Sequence, residues 1–379
     1  MNPAVKHKDL PGYRDIPEVS GPLLEVIDLK TWFDTPRGIL KAVDGVSFSV
    51  EQGKTLGIVG ESGSGKTVLS RSVMNLLPKK AAIPAGGQIL FQGRDIRKVS
   101  MKEMRTIWGR EMAMVFQDPM TSLNPVVKIG RQITEGLRHH LDLNRKESKE
   151  TAVALLRSVG LPAPERRLGE YPHQLSGGMR QRVTTAIALA CGPKLLIADE
   201  PTTALDVTVQ KQILDLLQTQ QRDRHMGMML ITHDLGVVAN RADEIVVMYA
   251  GQVVERAPTK TLFKSMRHPY TEALLRSIPR IENRSHTLLE AIPGRPPDLA
   301  NLPEGCRFAP RCRYAQDRCV TENPDLFLAE QPGHEYRCFY PVGTAAGKDA
   351  LAHNSALGHT ATGTPVSVHG SAAEAELVV

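Results

Sequence analysis

The sequence predicts an α/β fold: a sheet of buried strands with helices laid against it. Three observations carry this. Apolar runs at 195–198, 228–231 and 245–248 have the length of buried strands and are too short to span a bilayer. Helical patterns at 207–222 and 234–240 separate them, and strands alternating with helices point to parallel pairing. A further run, Thr55-Leu56-Gly57-Ile58-Val59-Gly60, ends in glycine and leads into helical spacing from Thr67 to Leu77, where Pro78 marks the stop.

Taken in order, residues 1–22 mix prolines and charges without a period and read as a flexible tail. Pro22 to Leu29 suggests a first strand, and Val43 to Val50 alternates well enough for a second. Residues of about 120–185 read mainly as helix, with Ser148 to Val159 amphipathic and Gly160-Leu161-Pro162 ending it. A helical subdomain inserted between two parts of the sheet is the simplest arrangement. The main domain is therefore expected over 23–285. Over 286–341, Pro293, Pro296, Pro297, Pro303 and Pro310 break any long helix, and four cysteines appear. From Val342 to 379 the chain is Ala, Gly, Ser, Thr and His with few large apolar residues, which predicts a disordered tail.

Composition sets the outer limits. The chain has 379 residues, which at about 150 per domain suggests two or three domains. Its 41% hydrophobic and 23% charged shares suit a folded protein and exclude fibrous classes. No run approaches the roughly 18–20 apolar residues of a membrane span, and the N-terminal residues lack the apolar stretch of a secretory signal. A net charge of +6 permits an anionic partner without identifying one.

Gly60-Glu61-Ser62-Gly63-Ser64-Gly65-Lys66-Thr67 fits G-x-x-x-x-G-K-[ST], between a strand and a helix. Converging backbone amides must reach phosphate oxygens, and Gly60, Gly63 and Gly65 permit the angles this needs. Ser62 lies within the same loop. The following helix turns its positive end toward the anion. Lys66 reaches the β- and γ-phosphates, and Thr67 offers a hydroxyl to Mg²⁺. Lys194 to Pro201 is a hydrophobic strand ending in two acids. Ligands gather at carboxyl ends of parallel strands, so Asp199 would face Mg²⁺ and Glu200 could polarise a water aimed at the γ-phosphate. The bland alternative is an acidic turn that merely ends a strand.

Leu175-Ser176-Gly177-Gly178-Met179-Arg180-Gln181-Arg182 resembles the signature motif of ATP-binding cassette (ABC) ATPases, with Met179 where many members have Gln. Gln117 before Asp118-Pro119, the Asp199-Glu200 pair, Ala204-Leu205-Asp206 and His233 follow at plausible spacing, and the resemblance covers about 23–265. It implies a P-loop NTPase cassette with a mixed sheet, flanking helices and a helical subdomain. It also implies a head-to-tail sandwich with a second ATPase subunit, ATP being gripped by one phosphate loop and by Ser176, Gly177 and Gly178 of the other copy. By the same resemblance, Gln117 touches Mg²⁺ and the attacking water. His233 holds the γ-phosphate, and Asp206 contacts the opposite subunit. Phe33 stacks on adenine, with the neighbouring Trp32 or a plain core role as alternatives.

A narrower resemblance lies in Val115 to Pro125 and in His268-Pro269-Tyr270-Thr271-Glu272-Ala273-Leu274-Leu275, followed by Ile292-Pro293-Gly294 and the cysteine-bearing end. These are similar to the dipeptide/oligopeptide/nickel importer branch. That branch implies a peripheral subunit on the cytoplasmic face of the cell membrane, two transmembrane permeases and an extracytoplasmic solute-binding protein. Peptide import is the favoured reading, with nickel, glutathione or another small solute as alternatives. A soluble, non-transport cassette ATPase is the competing class. Nothing suggests nucleic acid, since Lys and Arg are not interleaved with aromatics.

Cys306-x5-Cys312-x6-Cys319-x18-Cys338 lacks the C-x2-C pairs of most structural zinc sites and the usual ferredoxin spacings. Spacing alone leaves a metal site and ordinary packed thiols both open. Some members of the peptide-importer branch carry a [4Fe–4S] cluster at four such cysteines, so the resemblance implies one here, with Zn²⁺ as the alternative. Arg307, Arg311, Arg313 and Arg318 would offset the cluster's negative charge or simply form a solvated face. Cys191, at a helix end, reads as a packed core thiol.

Overall fold

In the computed structural model of the protein, residues 21–78, 82–118, 122–203, 205–278 and 292–366 are described. The expected N-terminal tail falls almost wholly on 1–20, outside them, as do Pro119 to Thr121 and Ala204. Two compact units are present, one within 1–25, 49–55 and 89–231, the other within 26–48, 56–88 and 232–379. The cysteine-bearing segment from 292 shares its unit with the phosphate loop.

The first unit is built on three parallel strands, β6 (Met112–Val115), β7 (Leu195–Asp199) and β8 (Gly227–Thr232). β7 lies in the middle: Ala198 pairs with Val115 on one side and Leu230 on the other. All three strands are buried throughout, which is why β7 and β8 read as continuous apolar runs without alternation. β6 is apolar too, but its four residues Met112-Ala113-Met114-Val115 include a single β-branched one and so do not distinguish a strand from a helix.

The helices that follow β6 share one core. α3 (Ile129–Leu141) buries Ile129, Ile133 and Leu137, four residues apart on one face. α4 (Arg145–Ser158) starts at a capping box in which Asn144 accepts from the Glu147 amide and Glu147 accepts from the Asn144 amide. Its Leu155 and Leu156 meet the α3 stripe. Leu168, just after α5 (Pro164–Arg167), and Val183 and Ala186 of α6 (Gly177–Leu189) close the cluster. α2 (Met101–Ile107), begun by the Ser100–Glu103 capping box, precedes β6, and α7 (Val207–Arg224) lies between β7 and β8.

In the second unit, β1 (Leu24–Thr35) has β2 (Gly38–Val50) on one side and β4 (Ala82–Phe91) on the other, counting each strand by the unit that holds most of it. The last residues of β4, which fall in the first unit, turn at Gln92-Gly93 into the short β5 (Arg94–Asp95) of that unit. β3 (Thr55–Val59) runs parallel to β9 (Glu244–Tyr249), and β10 (Gln252–Pro258) returns antiparallel to β9. The mixed sheet is thereby realised. β12 (Glu335–Tyr336) extends it on β10, and β11 (Phe327–Leu328) pairs with β12. α1 (Lys66–Val73) ends earlier than Leu77 because Asn75 takes a left-handed φ of 52°. α8 (Leu235–Ala239), α9 (Thr259–Ser265) and α10 (Pro269–Arg276) follow their strands. Glu255 on β10 is fully buried. It accepts from the amides of Arg267 and His268 and meets His334 Nε2 at 2.8 Å. The added strands are thus tied to the start of α10.

The expectation of a disordered tail from 342 is corrected for 342–366, the remaining residues lying outside those described. α11 (Asp317–Thr321) is followed by α12 (Ala345–Leu357), capped by Thr344 and ended by Gly358 at φ 76°. Its Ala content favours helix, and one buried polar residue replaces a large apolar face. Asn354, 1% exposed, donates to the Arg313 and Ala315 carbonyls and accepts from Gln316 Nε2. A low-hydrophobicity criterion cannot see an anchor of this kind. Replacing Asn354 with Ala leaves those buried groups unpaired, at a cost of about 1–3 kcal/mol. The expected result is faster proteolytic cleavage within 345–357, with the rest of the chain still folded.

Candidate functional site

The phosphate loop is shaped by close backbone approach. At Gly60, a Cβ would stand 2.2 Å from the Met248 carbonyl oxygen; at Gly65 (φ 101°), 2.1 Å from that of Ala42. Neither contact is possible for a real side chain, so both glycines are required by space as well as by angle. Gly63 (φ 81°) faces open space and is needed for its angle alone. The Gly251 amide donates to the Ser64 carbonyl at 3.0 Å and holds the loop's far side. Lys66, 4% exposed, donates through Nζ to the carbonyls of Gly60 (2.7 Å) and Glu61 (2.9 Å). Its ammonium therefore lies over the loop. Ser62 is exposed at the loop's tip, and Thr67 is the second residue of α1.

Glu61 is held at three points. Its amide donates to Tyr270 Oη at 2.7 Å, and its carbonyl accepts from Lys66. Its carboxylate takes a two-pronged ion pair from Arg311, at 2.6 and 3.0 Å. Sequence reading gave Glu61 no role, because its partner is 250 residues away. Burial works against the Arg311 charge, but Glu61 and Tyr249 outweigh it and raise its pKa. Burial pushes Tyr249 up to about 12.

In the first unit, the acidic strand end and the glutamine are brought together. Asp199 closes β7 and is 1% exposed. Glu200 follows with φ 45°, a left-handed conformation that costs a non-glycine residue about 1–2 kcal/mol. Its amide donates to Ile231 O at 2.9 Å. Its Oε2 accepts from Gln117 Nε2 (3.0 Å) and from Thr203 Oγ1 (3.0 Å). The carboxylate is aimed by these contacts, and Thr203 is a partner that the motif order did not single out.

Ser176 is the N-cap of α6, its Oγ accepting from the Met179 amide at 3.3 Å, so Gly177 and Gly178 form the helix's first turn. A Cβ on Gly178 would come within 2.8 Å of Val209 Cγ1, so Gly178 lets α6 approach α7 closely. Asp206 caps α7 through the Val209 amide at 2.9 Å. The signature and Asp206 thus stand on touching helix starts. In the second unit, Phe33 is half-buried on β1, while Trp32 donates to Asp44 Oδ1 at 3.2 Å and has Lys41 Nζ 5.2 Å from its ring. His233 is exposed just after β8.

Cys306, Cys312, Cys319 and Cys338 line a single narrow cavity walled by Phe308, Phe339 and Pro269. The Cys306 amide donates to the Cys319 carbonyl, and the Cys312 sulfur accepts from the Tyr314 amide. Burial raises all four thiols: Cys306 to about 11, Cys312 and Cys338 well above their ordinary value, and Cys319 in the same direction. Among the described residues, no group of three or more His, Cys, Asp or Glu is arranged to hold a metal ion. Cys191 is half-buried rather than in the core.

Comparison with known proteins places the chain in a family. A family model described as "ABC transporter" matches residues 43–203, and one described as "Oligopeptide/dipeptide transporter, C-terminal region" matches 254–319. The oligopeptide transport ATP-binding protein OppD of Bacillus subtilis is 52% identical, over 80% of this chain and 85% of its own. The dipeptide transport ATP-binding protein DppD of Escherichia coli is 48% identical, over 85% and 98%. Among solved structures, a dimeric ATP-binding cassette in a post-hydrolysis state, bound to ADP and Pi, aligns at TM-score 0.57 and 25% identity. It covers 62% of this chain and 98% of that one. A component of the cbiONQ ABC transporter complex from Clostridium perfringens aligns at 0.55 and 27%, over 64% and 91%. The chain belongs to the ABC transporter ATP-binding proteins, in the branch that carries the oligopeptide/dipeptide transporter C-terminal region.

Proposed function

We propose that this chain binds and hydrolyses ATP to drive peptide import. It would do so as a peripheral subunit paired head-to-tail with a second ATPase subunit beneath two membrane permeases. The observation that carries hydrolysis is the aimed carboxylate of Glu200, held at a strand end by Gln117 and Thr203. Peptide as the cargo is supported by the matched C-terminal region and by relatives about half identical that are named for oligopeptide and dipeptide transport. A peripheral place is compatible with the described helices, none of which is long and apolar enough to cross a membrane. Delivery of cargo by an extracytoplasmic binding protein completes the reading.

In this mechanism the Lys66 ammonium and the loop amides bind the β- and γ-phosphates. Thr67, Asp199 and Gln117 are oxygen donors suited to Mg²⁺, which would neutralise phosphate charge. Glu200 orients the attacking water and takes its proton. His233 steadies the γ-phosphate and Phe33 stacks on adenine. Ser176, Gly177 and Gly178 grip the γ-phosphate in the partner's site through the start of α6, with Asp206 beside them. Loss of that bridging phosphate lets the halves part.

The four-cysteine cavity brings together thiols of the kind that hold a [4Fe–4S] cluster, with Zn²⁺ as the alternative. Cys306, Cys312, Cys319 and Cys338 would hold it, and it would supply a structural or redox-responsive centre. The raised thiols must lose protons to do so, so loading is favoured as pH rises.

Three outcomes are expected. Glu200→Gln keeps ATP binding and lowers hydrolysis by the assembled transporter by two orders of magnitude or more, on the order of a lost general base. Lys66→Ala loses nucleotide binding itself, and normal affinity in that variant would undo the phosphate-loop assignment. In cluster-free protein at pH 8, Cys312 resists iodoacetamide until the chain is denatured, because it is buried and burial keeps it protonated. Anaerobic purification reads the cluster directly from iron content and the visible spectrum. Transport assays over peptides, nickel and glutathione read the cargo.

A further inference from the structure

Two arginines of the cysteine-bearing segment reach out of it to the phosphate loop and the strands beside it. Arg311, with a side chain 3% exposed, makes the two-pronged pair with Glu61 inside the loop. Its remaining donors are spent on Pro293 O at 2.7 Å and on Ile292 O and Tyr249 Oη at longer range. Arg307 donates to the Ala250 carbonyl at 2.6 Å and pairs with Asp44. Both anchor points adjoin the loop's walls. Ala250 precedes Gly251, whose amide holds Ser64, and the Asp44 amide donates to the Gly251 carbonyl. Between the two arginines, Phe308 inserts into an aromatic cluster with Tyr249 (5.2 Å) and Tyr270 (5.3 Å), and Tyr270 accepts from the Glu61 amide.

These contacts are directional. A planar guanidinium that meets a carboxylate with two bonds fixes both position and orientation, unlike a solvated surface pair. Glu61 lies between Gly60 and Ser62, so fixing its carboxylate and its amide fixes the backbone that presents the loop. Each arginine is next to a cysteine, Cys306 before Arg307 and Cys312 after Arg311. The clamp is therefore only as firm as the footing of the cysteine-bearing segment.

We propose that Arg311, seconded by Arg307, is a positioning residue for ATP, and that the cysteine-bearing segment acts as a clamp holding the phosphate loop in its nucleotide-binding shape. The segment's part in ATP affinity thus passes through the Glu61–Arg311 pair. This rests on the reading of 60–67 as the ATP site.

The test is isothermal titration of the full chain with Mg-ATP. The proteins are the wild type, Arg311→Gln, Glu61→Gln and the double variant, with Lys66→Ala as the non-binding reference. Each single variant is expected to raise Kd on the order of tenfold, since a small misplacement of a binding group is worth that much. Stoichiometry should stay unchanged. The double variant should be no weaker than the worse single one, because both remove the same interaction. Damage to folding alone would lower the stoichiometry and leave Kd where it was. Should Arg311→Gln fold poorly, Glu61→Gln decides by itself, since it keeps the buried arginine with a hydrogen-bond acceptor. Wild-type Kd in the folded single variants, or additive effects in the double, overturns the clamp. Failure of the wild-type chain to bind Mg-ATP overturns the ATP reading instead.

Discussion

The constraint on which the rest depends is the backbone shape of the phosphate loop. Its amides can converge on an anion only if Gly60 and Gly65 lie where Met248 O and Ala42 O leave no room for a Cβ. The walls that impose this come from β2 and β9, and Gly251, at the turn into β10, holds Ser64 from the other side. The order of strands in the second unit is therefore a requirement of the loop, and Lys66 stays folded over it because those walls are in place.

The first unit answers with a different device. Where the second shapes a loop by exclusion, the first aims a carboxylate by strain and hydrogen bonds. Glu200 accepts a left-handed backbone because Ile231, Gln117 and Thr203 hold it there. Gly178 on α6 leaves the room that the Val209 side chain of α7 fills, as Gly60 leaves room for the Met248 carbonyl. Ser176 and Asp206 then cap those helices, so the signature and its neighbour are presented from fixed helix starts.

Much of this was legible in the chain. The strands β3, β7, β8 and β9 show as short apolar runs because both their faces are buried, and α4 and α7 show through their helical periodicity. The glycine pattern of 60–67 could be read because a phosphate site needs its residues close together in sequence. β6, β11 and β12 could not be read, since their few residues become strands by pairing rather than by propensity, and β10 was masked by Glu255, Arg256 and Pro258 within its run. α12 was hidden because its stability comes from Asn354 and neighbouring carbonyls, which no hydrophobicity count detects.

By itself, the sequence determined which chemistry the chain carries. Phosphate binding, an acid at a strand end and the signature are each written in contiguous residues, because backbone amides and helix starts act locally. Only the tertiary structure decided what holds them. The Glu61–Arg311 pair spans 250 residues and Arg307–Asp44 spans 263. The four cysteines meet at one cavity although 32 positions separate the first from the last. Directional contacts between distant charges leave no local pattern. They exist only once the strands have brought both ends together.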